Sequence, residues 1–269
     1  PLGDGTYLYW FHNHGGNWYD GRNPVFLCGG TEADGATGKE IRWSEPEILL
    51  YDDDPKVRVS YPDLVVEDGR YFVTETQKTT ARVHEIPASF IKLLLTQQQR
   101  NTIAEGAAFE AVSGEHPIMP YIPSMVDGSG FAVEACLGTM SPVVLFDARD
   151  QYGKGIAMLL QKDGILEGIL NDGCSESGIR STAKIGEGGH AVWICDGGSK
   201  VMSFVINGCF DDGGDDRPYG WSRMGYYIDD INGARSAKIG GKETRIRFYN
   251  RLLLTGEAIG NYRVHLTLK

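Results

Sequence analysis

The chain has no cysteine pair at CxxC spacing, no apolar run that approaches the length of a membrane span, and less positive than negative charge. Its five cysteines, Cys28, Cys136, Cys174, Cys195 and Cys209, stand far apart. That spacing argues against a zinc knuckle and leaves either buried thiols or one disulfide among the last four. The missing apolar run argues against a membrane helix, and no signal-peptide pattern opens the chain. With 26 Lys and Arg against 36 Asp and Glu the net charge is −10, so general binding to nucleic acid or to an anionic membrane would set like charge against like. An acidic surface is equally a common route to solubility. The opening PLGDGTYLYW runs straight into strand-like sequence and reads as a chain cut inside a domain, with room for a leader lost upstream.

What is present points to β-structure. The 269 residues are 41% hydrophobic with 36 Gly and 11 Pro, a turn-rich composition with enough apolar side chains for one or two cores. The clearest stretch is Ser60 to Glu85, three strands in a row. Tyr61 to Val66 stops at Glu67-Asp68-Gly69, whose glycine can take the positive φ of a tight hairpin. Arg70 to Thr76 alternates, with Tyr71, Val73 and Glu75 on one face and Phe72, Thr74 and Thr76 on the other. A turn at Gln77 to Thr79 leads into Ala81 to Ile86. Upstream, Thr6 to Phe11, Pro24 to Leu27, Ile41 to Trp43 and Glu47 to Tyr51 read as strands, with Gly29 to Lys39 as a long turn. Short strands at regular spacing suit propeller blades more than a sandwich, although periodicity alone does not separate the two.

The segments FHNHGGNWYDGRNPVF, WSEPEILLYDDDP and SYPDLVVEDGRYFVTETQK, in that order, resemble the last blades of the sialidase-like β-propellers, the neuraminidase-repeat group. No Ser-x-Asp-x-Gly-x-x-Trp box accompanies them, so other glycosidase and sugar-lyase propellers stay open. The resemblance implies an extracellular, carbohydrate-active protein with catalytic groups near the propeller axis. It implies that Arg22 forks onto a sugar carboxylate, that Tyr61 is a nucleophile, and that Glu75 takes its proton. Asp63 and Glu75 as an acid and base pair are the alternative, and turn or strand packing is the plain reading of each. His12, His14 and Trp18 lie on a loop suited to sugar hydrogen bonding or stacking; the two histidines lack a third metal ligand nearby. A few strands do not close a propeller ring, so missing sequence or another chain must complete it.

Pro87 opens a helical segment with Phe90, Ile91, Leu94 and Leu95 at helix spacing, ending near Gln99. Residues 88–125 as a whole read as helix and linker between a domain at 1–87 and another at 126–269. The second domain offers eight strand candidates: Phe131–Leu137, Val143–Asp147, Gly155–Leu160, Ile165–Asn171, Ala191–Asp196, Val201–Ile206, Ala237–Ile239 and Glu243–Tyr249. Hairpin chemistry at Lys162-Asp163-Gly164, Asp196-Gly197-Gly198 and Ile206-Asn207-Gly208 joins them, and only a short turn at Thr255 to Gly260 interrupts. An antiparallel sandwich follows. FAVEACL, GHAVWICDGG, VMSFVINGCF, AKIGG and TRIRFYNRLLLTGEAIGNYR, in order, are similar to concanavalin A-like, laminin-G-type lectin domains. That resemblance implies a jelly-roll that binds carbohydrate or protein, often with calcium.

Asp211, Asp212 and Asp215, on a glycine-rich loop, are the candidate Ca²⁺ ligands, with a solvated acidic loop as the other reading. Tyr219 and Trp221 are candidates for stacking on sugar rings, or for packing at the sandwich edge. The expected class is all-β, partial propeller blades and then a jelly-roll β-sandwich. The expected function is that of a glycoside hydrolase with a glycan-binding sandwich, or of a non-catalytic carbohydrate-binding or adhesion module.

Overall fold

The computed structural model describes residues 1–12, 22–54, 56–138, 141–211, 221–225 and 227–268. They form an all-β protein of antiparallel sheets in two units, Pro1–Arg100 and Asn101–Lys269. The boundary divides the residues expected to form a connection. The helix goes to the first unit, and the supposed linker supplies a strand to the second.

In the first unit β1 (Thr6–Phe11), β2 (Val25–Gly35), β3 (Gly38–Trp43) and β4 (Glu47–Leu50) make one sheet, in which both β3 and β4 pair with β2. The long turn expected from Gly29 is instead a continuation of β2. Its glycine pair is there for space, because a Cβ on Gly29 would lie 2.9 Å from the Leu94 backbone. β5 (Ser60–Glu67), β6 (Arg70–Gln77) and β7 (Thr80–Ile86) form the expected meander. Asp68 and Gly69 both hold positive φ in its first turn. The helix α1 (Ala88–Thr96) and a 3₁₀ turn at Gln97–Gln99 follow. Ile91 and Leu94 of α1 pack with Leu27, Val73 and Ile86 into one small core. Neither sheet closes a ring, and no described strand pairs with the outer edges of β5 and β7.

The second unit contains β8 (Ala107–Val112), β9 (Gly130–Cys136), β10 (Val143–Asp147), β11 (Gly155–Leu160), β12 (Leu166–Asn171), β13 (Glu176–Arg180), β14 (His190–Asp196), β15 (Val201–Ile206), β16 (Cys209–Phe210), β17 (Trp221–Arg223), β18 (Lys238–Ile239), β19 (Arg245–Tyr249) and the helix α2 (Thr255–Thr267). One sheet runs β16-β15-β14-β9-β19-β8 with β17 also on β15, and the other runs β13-β12-β11-β10-β18. Phe131, Val133, Trp193, Phe204 and Phe248 from the first meet Leu145, Phe146, Met158, Leu166 and Leu170 from the second in a β-sandwich core.

β9 and β14 are buried at every position but one end residue each, rather than on alternate residues, the mark of strands covered on both faces. The second cover is α2, whose Ala258 and Ile259 pack with Ala132, Val192 and Ile194. The short turn expected at Thr255 to Gly260 is therefore the start of a 13-residue helix. All five cysteines are free; Cys28, Cys136 and Cys195 are buried and Cys174 and Cys209 exposed, so no disulfide forms.

Lys200 shows how the loops are pinned. Its buried ammonium donates to the carbonyls of Met125 at 2.7 Å, Val126 at 3.2 Å and Gly197 at 2.5 Å. Lys200→Met keeps the aliphatic stem but orphans these acceptors. It is expected to destabilise the second unit by about 2–3 kcal/mol, read from the shift of the urea midpoint.

Candidate functional site

Local hydrogen bonds build a cleft in the first unit. The Asn23 side chain donates to the carbonyls of Asp52 at 2.7 Å and Asp54 at 3.0 Å, and its oxygen accepts from Asp52 N. Val59 N donates to the Arg22 carbonyl at 3.1 Å, and Arg22 Nη1 donates to Ser60 Oγ at 3.0 Å. The segment from Asp52 to Ser60 is thereby stapled alongside Arg22. Across the ladder Ser60 pairs with Thr76, which brings in the β6–β7 turn. The result is a cleft of about 530 Å³ lined by Arg22, Lys56, Arg58, Ser60, Tyr61, Thr76, Gln77 and Lys78. Among the described residues four of the lining are cations and none is a carboxylate, within a chain of net charge −10.

Tyr61 occupies this cleft in an unusual way. The β5–β6 register slips between Ser60 and Asp63, so Tyr61 and Pro62 bulge out opposite Glu75. Tyr61 has φ +54° and its side chain is 74% exposed. A bulky residue in the left-handed region costs on the order of 1–3 kcal/mol, and a following proline restricts it further. Nothing apolar repays that cost, since the ring lies in solvent.

Of the residues singled out from sequence, Arg22 and Tyr61 share the cleft; Asp63 and Glu75 do not line it. Asp63 is exposed, and its Oδ1 accepts from Leu64 N at 3.0 Å. Glu75 is 1% exposed, with Arg82 Nη1 at 3.1 Å and His84 Nε2 at 3.5 Å from its Oε1. Its Oε2 has no hydrogen-bond partner among the described residues. No hydrogen bond links it to Tyr61, because the β6 alternation that buries Val73 also turns Glu75 inward.

His12 sits just past β1 with its ring 6.1 Å from that of Trp10. Trp221, in β17, is 8% exposed with Arg223 over its ring, so its face is covered rather than offered to a sugar. Asp211 is buried, and its carboxylate accepts from Thr182 N at 2.8 Å, Ala183 N at 3.0 Å and the Thr182 hydroxyl. It ties down the segment after β13. His14, Trp18, Asp212, Asp215 and Tyr219 lie outside the described residues.

Sequence reasoning passed over Lys56, Arg58 and Lys78. The available signal was Lys56-Val57-Arg58 directly after the acidic run, with Lys78 in a two-residue turn facing it. It also passed over a buried polar cluster in the second unit. There Glu134 Oε1 lies 3.0 Å from His190 Nε2 and accepts from Arg247 Nη1 at 2.8 Å. Its Oε2 accepts from Tyr249 OH at 3.2 Å and Asn261 Nδ2 at 2.7 Å. Burial would push the Glu134 carboxyl up. The hydrogen bond and charge of His190, then Arg247 and the Tyr249 hydroxyl, outweigh that and hold it below the ordinary carboxylate range.

Glu134, Cys136 and His190 bring three potential metal-ligand atoms within 4.8 Å of one another. They make a poor metal centre. Both Glu134 oxygens are already taken, the Arg247 guanidinium opposes a second cation, and burial with the Glu134 charge pushes the Cys136 thiol up and away from thiolate.

No protein-family model matches the chain, and no curated protein matches it. Among solved structures it is similar to the carbohydrate-binding module (CBM40) of a Ruminococcus gnavus sialidase bound to α2,3-sialyllactose, at 14% identity and TM-score 0.41 over 58% of this chain and 99% of that one. A pentraxin from Limulus polyphemus aligns at 14% identity and TM-score 0.34 over 56% of this chain and 79% of its own. A Trypanosoma rangeli sialidase mutant aligns at 11% identity and TM-score 0.33 over 96% of this chain, which spans about half of it (50%).

Proposed function

We propose that the first unit binds an acidic, carboxylated sugar, with Arg22 as the fork for the carboxylate and Tyr61 as the nucleophile at the anomeric carbon. One observation carries the reading: a strained, solvent-facing tyrosine lining a cleft whose charged side chains, among the described residues, are all cations. Strain of this kind persists where a function needs it. In the reaction the tyrosyl oxygen, its proton passing to solvent, would bond to the anomeric carbon as the glycosidic bond breaks and the departing oxygen takes a proton from water. A second water would then displace the tyrosine and release the sugar. Arg22 is oriented by its Ser60 contact, and a planar guanidinium can meet both carboxylate oxygens at once. The second unit is read as a glycan-binding sandwich, and the whole as a protein that works outside the cell.

A second reading, binding without cleavage, is favoured by the lining itself. A phenol needs a base to become a nucleophile, and no carboxylate lines the cleft among the described residues.

Both readings require selective affinity for an acidic sugar. Titrating the chain with N-acetylneuraminic acid and with lactose, followed by ligand-observed NMR, is expected to show binding of the acid alone. Arg22→Ala should weaken it about 10-fold or more, the worth of a charge-assisted bidentate contact. Equal response to both sugars, or an unchanged Arg22→Ala variant, would reject the proposal.

A further inference from the structure

We infer that the cleft around Tyr61 takes a glycan bearing two negative groups, one held by Arg22 and the second by Lys56 and Lys78. The inference rests on the acidic-sugar reading and specifies its substrate class. One guanidinium fork can take both oxygens of a carboxylate, and three further cations line the same cleft from two separate segments, the stretch after the acidic run and the β6–β7 turn. The lysines in ion pairs among the described residues are Lys39, Lys154 and Lys242, not Lys56 or Lys78. In a chain of net charge −10, several cations converging on one concavity are a focused field and not a random share of surface charge. They also repel one another, and an anion laid between them relieves that repulsion.

The side chains suit the two roles. Arg22 is half-buried and fixed on Ser60, a rigid donor pair for a group that must sit in one orientation. Lys56 and Lys78 are exposed, flexible point charges that accept a carboxylate or sulfate from several directions. The cleft volume of about 530 Å³ lies within the range of sites that enclose whole small-molecule ligands, and it extends past the Arg22–Ser60 contact to both lysines.

The test compares sialic acid monosaccharide with α2,8-linked disialic acid, titrated calorimetrically against the 269-residue chain and against a Lys56→Gln, Lys78→Gln double variant. Wild type is expected to bind the dimer about 10-fold or more tightly than the monosaccharide. The double variant should reduce that ratio to about 1, because only the second group loses its partners. Both substitutions are at exposed positions, and an unchanged melting temperature shows that folding is intact. A dimer-to-monosaccharide ratio near 1 in wild type overturns the inference and leaves the acidic-sugar reading standing. So does a ratio that survives in the double variant. Absence of binding by either sugar overturns both.

Discussion

Arg247→Ala is expected to lower the stability of the second unit by about 3–5 kcal/mol, the range for stripping one partner from a buried ion pair. Glu134 is 1% exposed and Arg247 hardly more. Without the guanidinium, Glu134 would keep Asn261, Tyr249 and His190 as hydrogen-bond partners but lose the one permanent cation at its carboxylate. Urea unfolding followed by tryptophan fluorescence measures the loss, since Trp193 is fully buried in the same sheet.

The pH dependence gives an independent check. The folded Glu134 carboxyl titrates below its unfolded value of about 4.3. Its contribution is therefore complete above that pH and is lost as pH falls through the lower, folded value. Wild type should show a steep acid limb below about pH 4, and Arg247→Ala a shallower one. Identical limbs would mean that the cluster contributes little net stability.

Under the proposal that Tyr61 is a nucleophile, Tyr61→Phe is expected to leave folding untouched and abolish covalent chemistry. A 2,3-difluoro sialoside offers a fluoride leaving group and a slowed second step. A nucleophilic Tyr61 should take up one sugar equivalent, seen as a mass increase that maps to the peptide containing residue 61. Removing only the hydroxyl should suppress adduct formation on the order of 10³-fold or more, as for other nucleophiles. Wild type that binds N-acetylneuraminic acid but never forms the adduct is the signature of the non-catalytic reading.

Tyr61→Gly supplies the energetic half of the argument. Glycine accepts φ +54° without steric cost, and the ring it replaces is mostly in water. The variant should be no less stable than wild type, and up to about 1 kcal/mol more stable after the extra chain entropy of glycine is counted. A marked loss of stability would make Tyr61 a packing residue and remove the case for stored strain.

The hairpins were legible because turn chemistry is local. Asp68-Gly69, Lys162-Asp163-Gly164 and Asn207-Gly208 each close one, and strand alternation did the rest. Failures came where a distant element set the local structure. Gly29 and Gly30 read as a turn, yet they are in a strand whose glycines make room for α1 and for Trp43. The α2 sequence hides its helix because the buried side carries Gly256, Gly260, Asn261 and His265 rather than an apolar stripe. Its available signal was Glu257, which reaches back to Leu254 N at 3.0 Å.

The site divides in the same way. Arg22 and Tyr61, singled out through motif order, do line one cleft. Lys56 and Lys78 were not legible, because an exposed lysine looks alike in every sequence until the fold shows what it faces. Glu75 was assigned to the wrong neighbourhood. The alternation that placed it on the inner face was read correctly, but its consequence, that a carboxylate there meets Arg82 and His84 instead of the cleft, was missed.

The roof over Glu134 bears on how the chain is made. Asn261, which caps the carboxylate, is 127 residues downstream of it. A ribosome releases β9 long before α2. Until the helix emerges, the outer face of the β9–β14 sheet lacks its cover, and Glu134 lacks the Asn261 amide that completes its set of partners. The second unit should therefore acquire protease resistance in one step, only as residues near 261 clear the exit tunnel, and nascent chains stalled before that point should stay protease-sensitive.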